Sequence, residues 1–323
     1  MSDPTFPALR RTWQPVALSR DLVAGIARPY RLLDHDLAIV RLADGVAAFP
    51  DRCPHRGARL SGGTAVDVHL ACPYHGWRFA RDGGCTLIPS LGPGSALARG
   101  VRLASYATCE RYGFVWVRLD ETGSAPIPDI PEFEDPRWTY MVADPTPFAA
   151  GFRREIENYL DMAHFAVAHA QTLGRGADAL VPRYDVAEQA DGLRMDANFP
   201  AAPGADVGKL QRAHRRTQRW HRPNVTTIRQ SWPDGDERVL VHVPSPTSAE
   251  SCTVFWSLAI SPAFSGPPPA EQMAFAVRVL DEDRRLCESQ IPREAPLEAD
   301  GDIGVPADRF ALAFRKRLRE WSG

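Results

Sequence analysis

The sequence lacks three features that would each define a class of protein. No stretch approaches the roughly 18 apolar residues that a membrane-spanning helix needs. The 38 Lys and Arg nearly balance the 40 Asp and Glu, so the basic excess typical of a nucleic-acid-binding protein is missing. The first residues carry no basic stretch followed by an apolar segment, as a secretory signal would. We therefore expect a cytoplasmic protein with no nucleic-acid and no membrane partner.

Cysteine is also scarce, with 6 among 323 residues, but two of the cysteines stand beside histidines. Cys53 with His55, and Cys72 with His75, give the spacing C-x-H-x16-C-x2-H. Thiolates on one iron and imidazoles on the other form the ligand set of a high-potential [2Fe-2S] cluster. The spacing predicts such a cluster, clamped between two short loops. A structural zinc site is the alternative, because zinc also binds sets of two cysteines and two histidines.

The residues around these pairs resemble a known family. CPHRGARL at 53–60 and CPYHGWRF at 72–79 are similar to the cluster motifs of Rieske non-heme iron oxygenases. The resemblance implies that the two cysteines and two histidines bind a Rieske cluster. A Rieske domain accounts for only part of a chain of 323 residues, so we expect a second domain after it.

A second motif lies at 158–169 and reads NYLDMAHFAVAH. Its spacing, N-x2-D-x2-H-x4-H, is similar to the mononuclear iron motif of the same family. Two histidines and one carboxylate on one face of an iron form the triad of oxygen-activating Fe(II) enzymes. We therefore expect His164 and His169 to bind Fe(II), and the resemblance implies that the third ligand is a distant aspartate.

The third ligand is expected within VLDEDRRLCE at 279–288. Asp283 resembles the aspartate of the Glu-Asp pair that opens a late helix in the family, and it is the preferred candidate. Asp281 is the alternative.

Asn158 and Asp161 are the candidate catalytic residues. Asp161 lies three residues before His164, which places both on one face of a helix. Its carboxylate is predicted to accept a hydrogen bond from the His164 nitrogen that does not hold the metal, which would orient the ring. The resemblance also implies that Asp161 links the iron to the cluster of a neighbouring subunit.

The residues at 153–170 are predicted to form one helix that carries the iron motif. On a regular helix, His164 and His169 would point about 140° apart, because a turn takes 3.6 residues. Both can bind one ion only if the helix is distorted or broken. We expect this irregularity between Phe165 and Ala168.

Strand and turn signals predict an α+β fold. Residues 1–120 carry short β-like runs and are expected to form an all-β Rieske domain, and the Pro-rich stretch 121–151 is interpreted as a connection. Residues 152–323 are expected to form the catalytic domain, with an antiparallel sheet, flanking helices and an amphipathic helix at 308–321. Its β-like runs lie near 183–199, 217–230, 237–245, 252–261 and 271–280.

A basic run in the second half has two interpretations. It consists of Lys209, Arg212, His214, Arg215, Arg216, Arg219 and Arg222. Such a run is commonly a solvated loop and strand edge, but it could also hold an anionic substrate or an acidic electron donor. One arginine directed into a pocket would indicate a carboxylate substrate.

The resemblance as a whole implies the oxygenase (alpha) subunit of a Rieske oxygenase, similar to the short monooxygenase and demethylase members. It implies a Rieske [2Fe-2S] cluster, a mononuclear Fe(II) and a homotrimer that acts on a small aromatic or cyclic substrate with O2. The sequence has no G-x-G-x-x-G nucleotide loop, so electrons from NAD(P)H are expected through a ferredoxin or a ferredoxin reductase. The expected reaction is monooxygenation or oxidative demethylation, with cis-dihydroxylation and N-oxygenation as alternatives. A Rieske electron carrier and a zinc-stabilised binding module are the non-enzyme alternatives.

Overall fold

The computed structural model describes residues 3–123, 125–201, 208–298 and 301–323. The chain forms two compact units, Phe6–Ile127 and Pro128–Gly323, and the residues up to Thr5 belong to the second. Asp3 and Thr5 are attached to the second unit because its Arg153 binds the Asp3 carboxylate at 2.7 Å and the Thr5 hydroxyl at 3.2 Å. We call the two bodies the N-terminal unit and the C-terminal unit. Residue 124, inside the expected connection, lies outside the described residues.

The N-terminal unit consists mainly of antiparallel strands in three small sheets, ordered β1-β11-β10, β2-β3-β4 and β5-β6-β7-β8-β9. The strands are β1 Gln14–Leu18, β2 Ala27–Leu32, β3 His35–Leu42, β4 Gly45–Pro50, β5 Thr64–Val66, β6 His69–Ala71, β7 Arg78–Ala80, β8 Cys85–Ile88, β9 Gly92–Pro93, β10 Ala107–Arg111 and β11 Phe114–Arg118. Two short helices, α1 Thr5–Leu9 and α2 Ala96–Gly100, accompany them. Phe49, Leu70 and Phe79 are fully buried in one core with Cys53 and Cys72. The cysteines are therefore anchored in the packed interior between the strands.

The C-terminal unit is built on one antiparallel sheet of eight strands, in the order β12-β19-β18-β17-β16-β15-β14, with β13 also paired to β19. The strands are β12 Thr139–Val142, β13 Thr146–Phe148, β14 Asp185–Gln189, β15 Gly192–Phe199, β16 His214–His221, β17 Val225–Ser231, β18 Glu237–Ser248 and β19 Ser251–Ile260. The helices are α3 Phe152–Leu160, α4 Phe165–Ala168, α5 Pro269–Ser289 and α6 Arg309–Ser322. Helix α3 contacts β18, α5 and α6, so it lies against the sheet and between the two long helices. The predicted α+β class is confirmed.

Two sequence expectations about these elements were wrong. The run at 271–280 lies inside α5, because its buried side chains follow the 3.6-residue period of a helix, as the spacing of Gln272, Phe275 and Leu280 shows. The stretch 121–151 is not only a connection, since β12 and β13 both pair with β19. Among the described residues, no helix combines the length and apolar character that crossing a membrane requires.

Candidate active site

The two Cys-His loops of the N-terminal unit share one backbone frame. In each loop the cysteine N–H donates to the carbonyl oxygen five residues later, at Ala58 and at Trp77, and both distances are 2.8 Å. A glycine N–H then donates back to the cysteine carbonyl, at 2.9 Å for Gly57 and 3.0 Å for Gly76. These glycines have φ values of 74° and 67°, a region that residues with a side chain rarely adopt. The frame therefore needs glycine at both positions.

The two loops bring the four predicted cluster ligands together. Cys53 and Cys72 are 2% and 4% exposed, and the half-buried rings of His55 and His75 have centroids 4.5 Å apart. Burial, together with the adjacent Cys72 thiol, raises the pKa of Cys53 to about 11. The Nδ1 atom of His55 is buried and has no hydrogen-bond partner among the described residues. Paired thiols beside paired imidazoles fit a [2Fe-2S] cluster, whose binding would deprotonate the thiols.

Two further side chains hold the first loop in place. The Asp51 carboxylate accepts the N–H and the hydroxyl of Ser61, each at 2.7 Å. Trp77, from the second loop, stacks on the His55 ring with centroids 4.4 Å apart and an angle of 9° between the planes. Sequence reasoning missed Asp51, although its position two residues before the first cysteine was visible.

The predicted helix at 153–170 is broken, but at a different place from the expected one. Helix α3 ends at Leu160, and Asp161 has extended dihedrals of −81° and 149°. The break comes before His164, whereas residues 165–168 form the helical turn α4. The Asp161 carboxylate accepts the N–H groups of Ala163 and His164, at 2.9 and 3.1 Å, and this local bonding competes with continuation of the helix.

The histidines at the two ends of α4 meet Asp283 from α5. The Asp283 Oδ1 atom lies 3.5 Å from Nε2 of His164 and 3.0 Å from Nε2 of His169. The three residues each offer a ligand atom, and these atoms all lie within 4.8 Å of one another. His169 Nε2 and Asp283 Oδ1 are buried and make no hydrogen bond of acceptable geometry with any described residue. Atoms bound at about 2.1 Å to one ion, at right angles, lie about 3 Å apart, so the triad fits a metal ion.

The two acidic residues that precede Asp283 on α5 have different hydrogen-bond and ion-pair partners. Glu282 accepts hydrogen bonds at 2.6 Å from His169 Nδ1 and from the Thr172 hydroxyl. Asp281 instead pairs with two arginines of its own helix. The Glu-Asp pair lies in the second half of α5, not at its start, so the expectation that it opens a late helix was wrong. Sequence reasoning weighed Asp281 against Asp283 and gave Glu282 no role.

Asp161 makes the predicted contact with His164, though not through a shared helical face. Its Oδ2 atom lies 2.7 Å from His164 Nδ1. Burial alone would raise the pKa of Asp161, but hydrogen bonds from the His164 ring and from the Ala163 N–H outweigh burial and lower it. Each histidine therefore has a carboxylate at Nδ1 and turns Nε2 towards Asp283, the arrangement in which a second carboxylate orients a metal-binding imidazole.

A pocket of about 880 Å³, including its mouth, opens beside the triad and is also lined by Asn158. Most of its wall is apolar, and the side chains come from β17, β18, β19, α4, the turn after α4, and α5. These apolar residues are Phe165, Leu173, Ile228, Leu240, Val241, Trp256, Leu258, Phe275, Ala276, Val279 and Leu280. A concave, largely apolar pocket with a few polar groups beside a metal centre is typical of a site for a small organic molecule.

The basic run is mostly neutralised outside this pocket. Lys209 and Arg212 bind Asp234, Arg215 binds Asp196, Arg219 binds Asp191, Arg222 donates to a backbone carbonyl, and His214 bonds Gln230. Arg216 alone in the run lines the pocket beside the triad. It does so because side chains alternate between the faces of β16, with Arg215 and Arg219 on one face and Arg216 on the other.

Comparison with known proteins defines the class. Residues 12–107 match the Rieske [2Fe-2S] domain family, and residues 148–322 match the vanillate O-demethylase oxygenase C-terminal domain family. The chain belongs to the Rieske oxygenases and is an oxygenase component, an iron-dependent oxidoreductase. The electron-carrier alternative leaves the match over residues 148–322 without an explanation.

Among its relatives are two demethylases from Pseudomonas putida. The chain is 31% identical to methylxanthine N3-demethylase NdmB, over 100% of this chain and 91% of the relative. It is 30% identical to methylxanthine N1-demethylase NdmA, over 97% of this chain and 89% of the relative. The solved structure of NdmA from Pseudomonas putida CBB5 with caffeine superimposes with a TM-score of 0.87 at 28% identity, covering 99% of this chain and 93% of that chain. Members of the family generally work with ferredoxin or reductase partners and form oligomers.

Proposed function

We propose that this chain catalyses the oxidative demethylation of a small methylated aromatic or heteroaromatic compound. The observation that carries the proposal is the pocket of about 880 Å³ that joins a mostly apolar wall to His164, His169 and Asp283. The demethylase names of the two relatives support it. N-Methyl and O-methyl groups are both apolar and would suit this wall.

In the proposed site, His164, His169 and Asp283 would hold Fe(II). Bound iron would supply dioxygen activation at its open coordination positions, with electrons delivered from the Rieske cluster. Leu240, Leu258 and the other apolar side chains would exclude water and hold the aromatic ring, so that a methyl group points towards the triad. The Asn158 side chain, which also lines the pocket, would contact substrate next to His164.

The balanced reaction has a specific product. One oxygen atom of O2 enters a methyl C–H bond, and the other leaves as water, with two electrons and two protons supplied from outside. The bond between the resulting hydroxymethyl carbon and the nitrogen or oxygen then breaks, the hydroxyl proton ends on that nitrogen or oxygen, and the carbon leaves as formaldehyde. Demethylation therefore releases one formaldehyde for each O2 consumed.

The proposed route for electrons crosses between subunits of a homotrimer. NAD(P)H would reduce the cluster through a ferredoxin or ferredoxin reductase in the cytoplasm, and the residues that hold this cluster would be Cys53, His55, Cys72 and His75. Asp161 would contact the cluster of the neighbouring subunit and link it to the iron site. Asp161 lines a second recess of the C-terminal unit. Three exposed apolar side chains, Leu286, Ile303 and Leu312, line the same recess. Apolar groups clustered at a surface support an interface there.

Turnover with a generic ferredoxin, a ferredoxin reductase and NADH tests the reaction. The panel contains N-methylxanthines, methoxybenzoates and methoxybenzamides, and formaldehyde, O2 uptake and product mass are measured together. We expect formaldehyde equal to O2 consumed for at least one compound. Products that keep the methyl group and gain one or two oxygens would instead identify hydroxylation, N-oxygenation or cis-dihydroxylation.

Mixed oligomers test the route between subunits. Cys53→Ser chains lack an intact cluster and Asp283→Ala chains lack a triad ligand, so each variant alone should be inactive. Co-expressed in one oligomer, they should recover part of the activity, because an intact cluster then neighbours an intact iron site. Activity that stays absent in mixed oligomers of demonstrated composition would rule out transfer between subunits.

A further inference from the structure

Two arginines of the C-terminal unit occupy one row across the sheet beside the pocket. Arg216 on β16 pairs in register with Gln230 on β17, which pairs with Arg238 on β18. Neighbouring strands lie about 4.8 Å apart, so the backbones of the two arginines are about 10 Å apart with the glutamine between them. All three side chains line the pocket. The row places two cationic groups on one wall.

Neither arginine pairs directly with a carboxylate, although the charge of Asp161 acts on Arg216 from a greater distance. Arg216 and Arg238 are 5% and 8% exposed, and neither makes an ion pair with any described residue. The guanidinium of Arg238 donates to the side-chain oxygens of Gln230 and Gln272, which carry no charge. The Nε atom of Arg216 has no hydrogen-bond partner among the described residues. A buried charge without a counter-charge is costly, so an anion bound from outside would be strongly favoured.

Their protonation states agree with this geometry. Burial lowers the pKa of Arg216 to about 10 and that of Arg238 to about 10, and the charge of Arg216 contributes to the lowering at Arg238. Both side chains still carry their charge at neutral pH.

Tyr159 adds a neutral donor to the same pocket. Its ring stacks on His242, with centroids 4.0 Å apart and an angle of 10° between the planes. Its hydroxyl is buried and has no hydrogen-bond partner among the described residues. The pocket therefore offers two guanidinium groups without a paired carboxylate, and one hydroxyl without an acceptor among the described residues.

We propose that the substrate carries a carboxylate, and that Arg216 and Arg238 bind this group while the Tyr159 hydroxyl donates to it. Planar guanidinium groups match the planar carboxylate, and hydrogen bonds between charged partners are about twice as strong as neutral ones. This proposal rests on the proposed function and gives its substrate class, an aromatic acid with a methyl group on nitrogen or oxygen. Caffeine, which is bound in the related NdmA structure, is a neutral molecule, so the preference would differ from binding of that ligand.

A purely structural role is the competing explanation for Arg216. Its guanidinium lies over the rings of Phe165 and Phe199, at 5.1 and 5.6 Å from their centroids, and such cation–π contacts stabilise a buried arginine. That role would not distinguish an acid from its amide.

Equilibrium binding to the holoenzyme, kept anaerobic, separates these explanations. The probes are the three methoxybenzoate isomers and the three matching methoxybenzamides, which differ mainly in charge. The variants are Arg216→Gln, Arg216→Lys and Arg238→Gln, and the matched control is Arg215→Gln, a neighbour on the outer face of β16 that pairs with Asp196. Iron content and the visible spectrum of the cluster establish that each variant is folded.

We expect the wild-type enzyme to bind at least one acid about tenfold or more tightly than its amide. The preference should disappear in Arg216→Gln and Arg238→Gln, survive partly in Arg216→Lys and remain unchanged in Arg215→Gln. Equal binding of acids and amides by the wild type, or a preference that survives both Gln variants, would overturn the proposal. If the preference holds but no compound of the turnover panel yields formaldehyde, the demethylase function fails while the carboxylate site stands.

Discussion

The Nδ1 atom of His169 lies 2.6 Å from the Oε2 atom of Glu282, the residue immediately before Asp283 on α5. His164 has a matching contact, with Nδ1 2.7 Å from the Oδ2 atom of Asp161. The two imidazoles are therefore oriented by carboxylates from two different elements, the end of α3 and α5. Each ring has its proton on Nδ1 and presents a free Nε2 to Asp283. This is the tautomer that binds a metal ion through Nε2.

Glu282→Gln should weaken iron binding without removing a ligand. The amide accepts a weaker hydrogen bond than the carboxylate, so His169 loses part of its orientation and basicity, and iron affinity should fall by about 10- to 100-fold. Titration with an iron chelator measures this effect. Asp281→Asn is the control, because Asp281 pairs with arginines on the exposed side of the same helix. Equal iron loss from both variants would contradict the role of Glu282.

Asp161→Asn should lose multiple-turnover activity even when its iron site is filled with excess Fe(II). The asparagine side chain keeps one oxygen, which can still accept the N–H of either Ala163 or His164, so the turn after α3 should largely persist. The negative charge next to His164 is lost, and with it the proposed link to the neighbouring cluster. Iron content and turnover are measured beside the exposed control Asp185→Asn. Near-full turnover in Asp161→Asn would show that the carboxylate is not needed.

Asp51→Ala should destabilise the cluster loops. The substitution leaves the N–H and hydroxyl of Ser61 without their buried acceptor, a loss that typically costs about 1–3 kcal/mol. The temperature at which the visible absorption of the cluster disappears should fall. Asp21→Ala, at an exposed position where the carboxylate lies 3.9 Å from Arg20, should leave that temperature nearly unchanged. A similar small effect in both variants would mean that Asp51 does not hold the loop.

His214 should make the C-terminal unit less stable in acid. Burial lowers its pKa to about 4 in the folded state, against about 6.5 in an unfolded chain. The unfolded state therefore binds the extra proton between these values, and the stability present above pH about 6.5 is lost as the pH falls towards 4. His214→Gln should flatten this part of the pH dependence of thermal unfolding. An unchanged slope in the variant would show that another group causes the acid sensitivity.

The sequence was sufficient where a local motif carries the information. The cluster loops need cysteine, histidine and glycine at fixed positions, so four candidate ligands and the class of the N-terminal unit could be read directly. His164 and His169 were identified as candidate ligands in the same way. The third ligand could be narrowed only to Asp281 or Asp283, because the spacing alone does not show which side of α5 faces α4.

Other features depend on tertiary packing, which a single sequence does not display. The break before His164 follows from hydrogen bonds of the Asp161 side chain to its own backbone. The run at 271–280 has strand-like residues but follows a helical burial period. Arg238 belongs to no basic run, and its importance appears only when β16, β17 and β18 align it with Gln230 and Arg216.

Metal and sulfide analysis of the anaerobically purified protein tests the central claim most directly. We expect about three irons and about two acid-labile sulfides per chain, from one [2Fe-2S] cluster and one mononuclear site. In Asp283→Ala the iron should fall to about two per chain with the sulfide unchanged, while Asp281→Asn should keep about three. Zinc in place of sulfide, or about two irons in both the wild type and Asp283→Ala, would contradict the assignment of two iron centres to this chain.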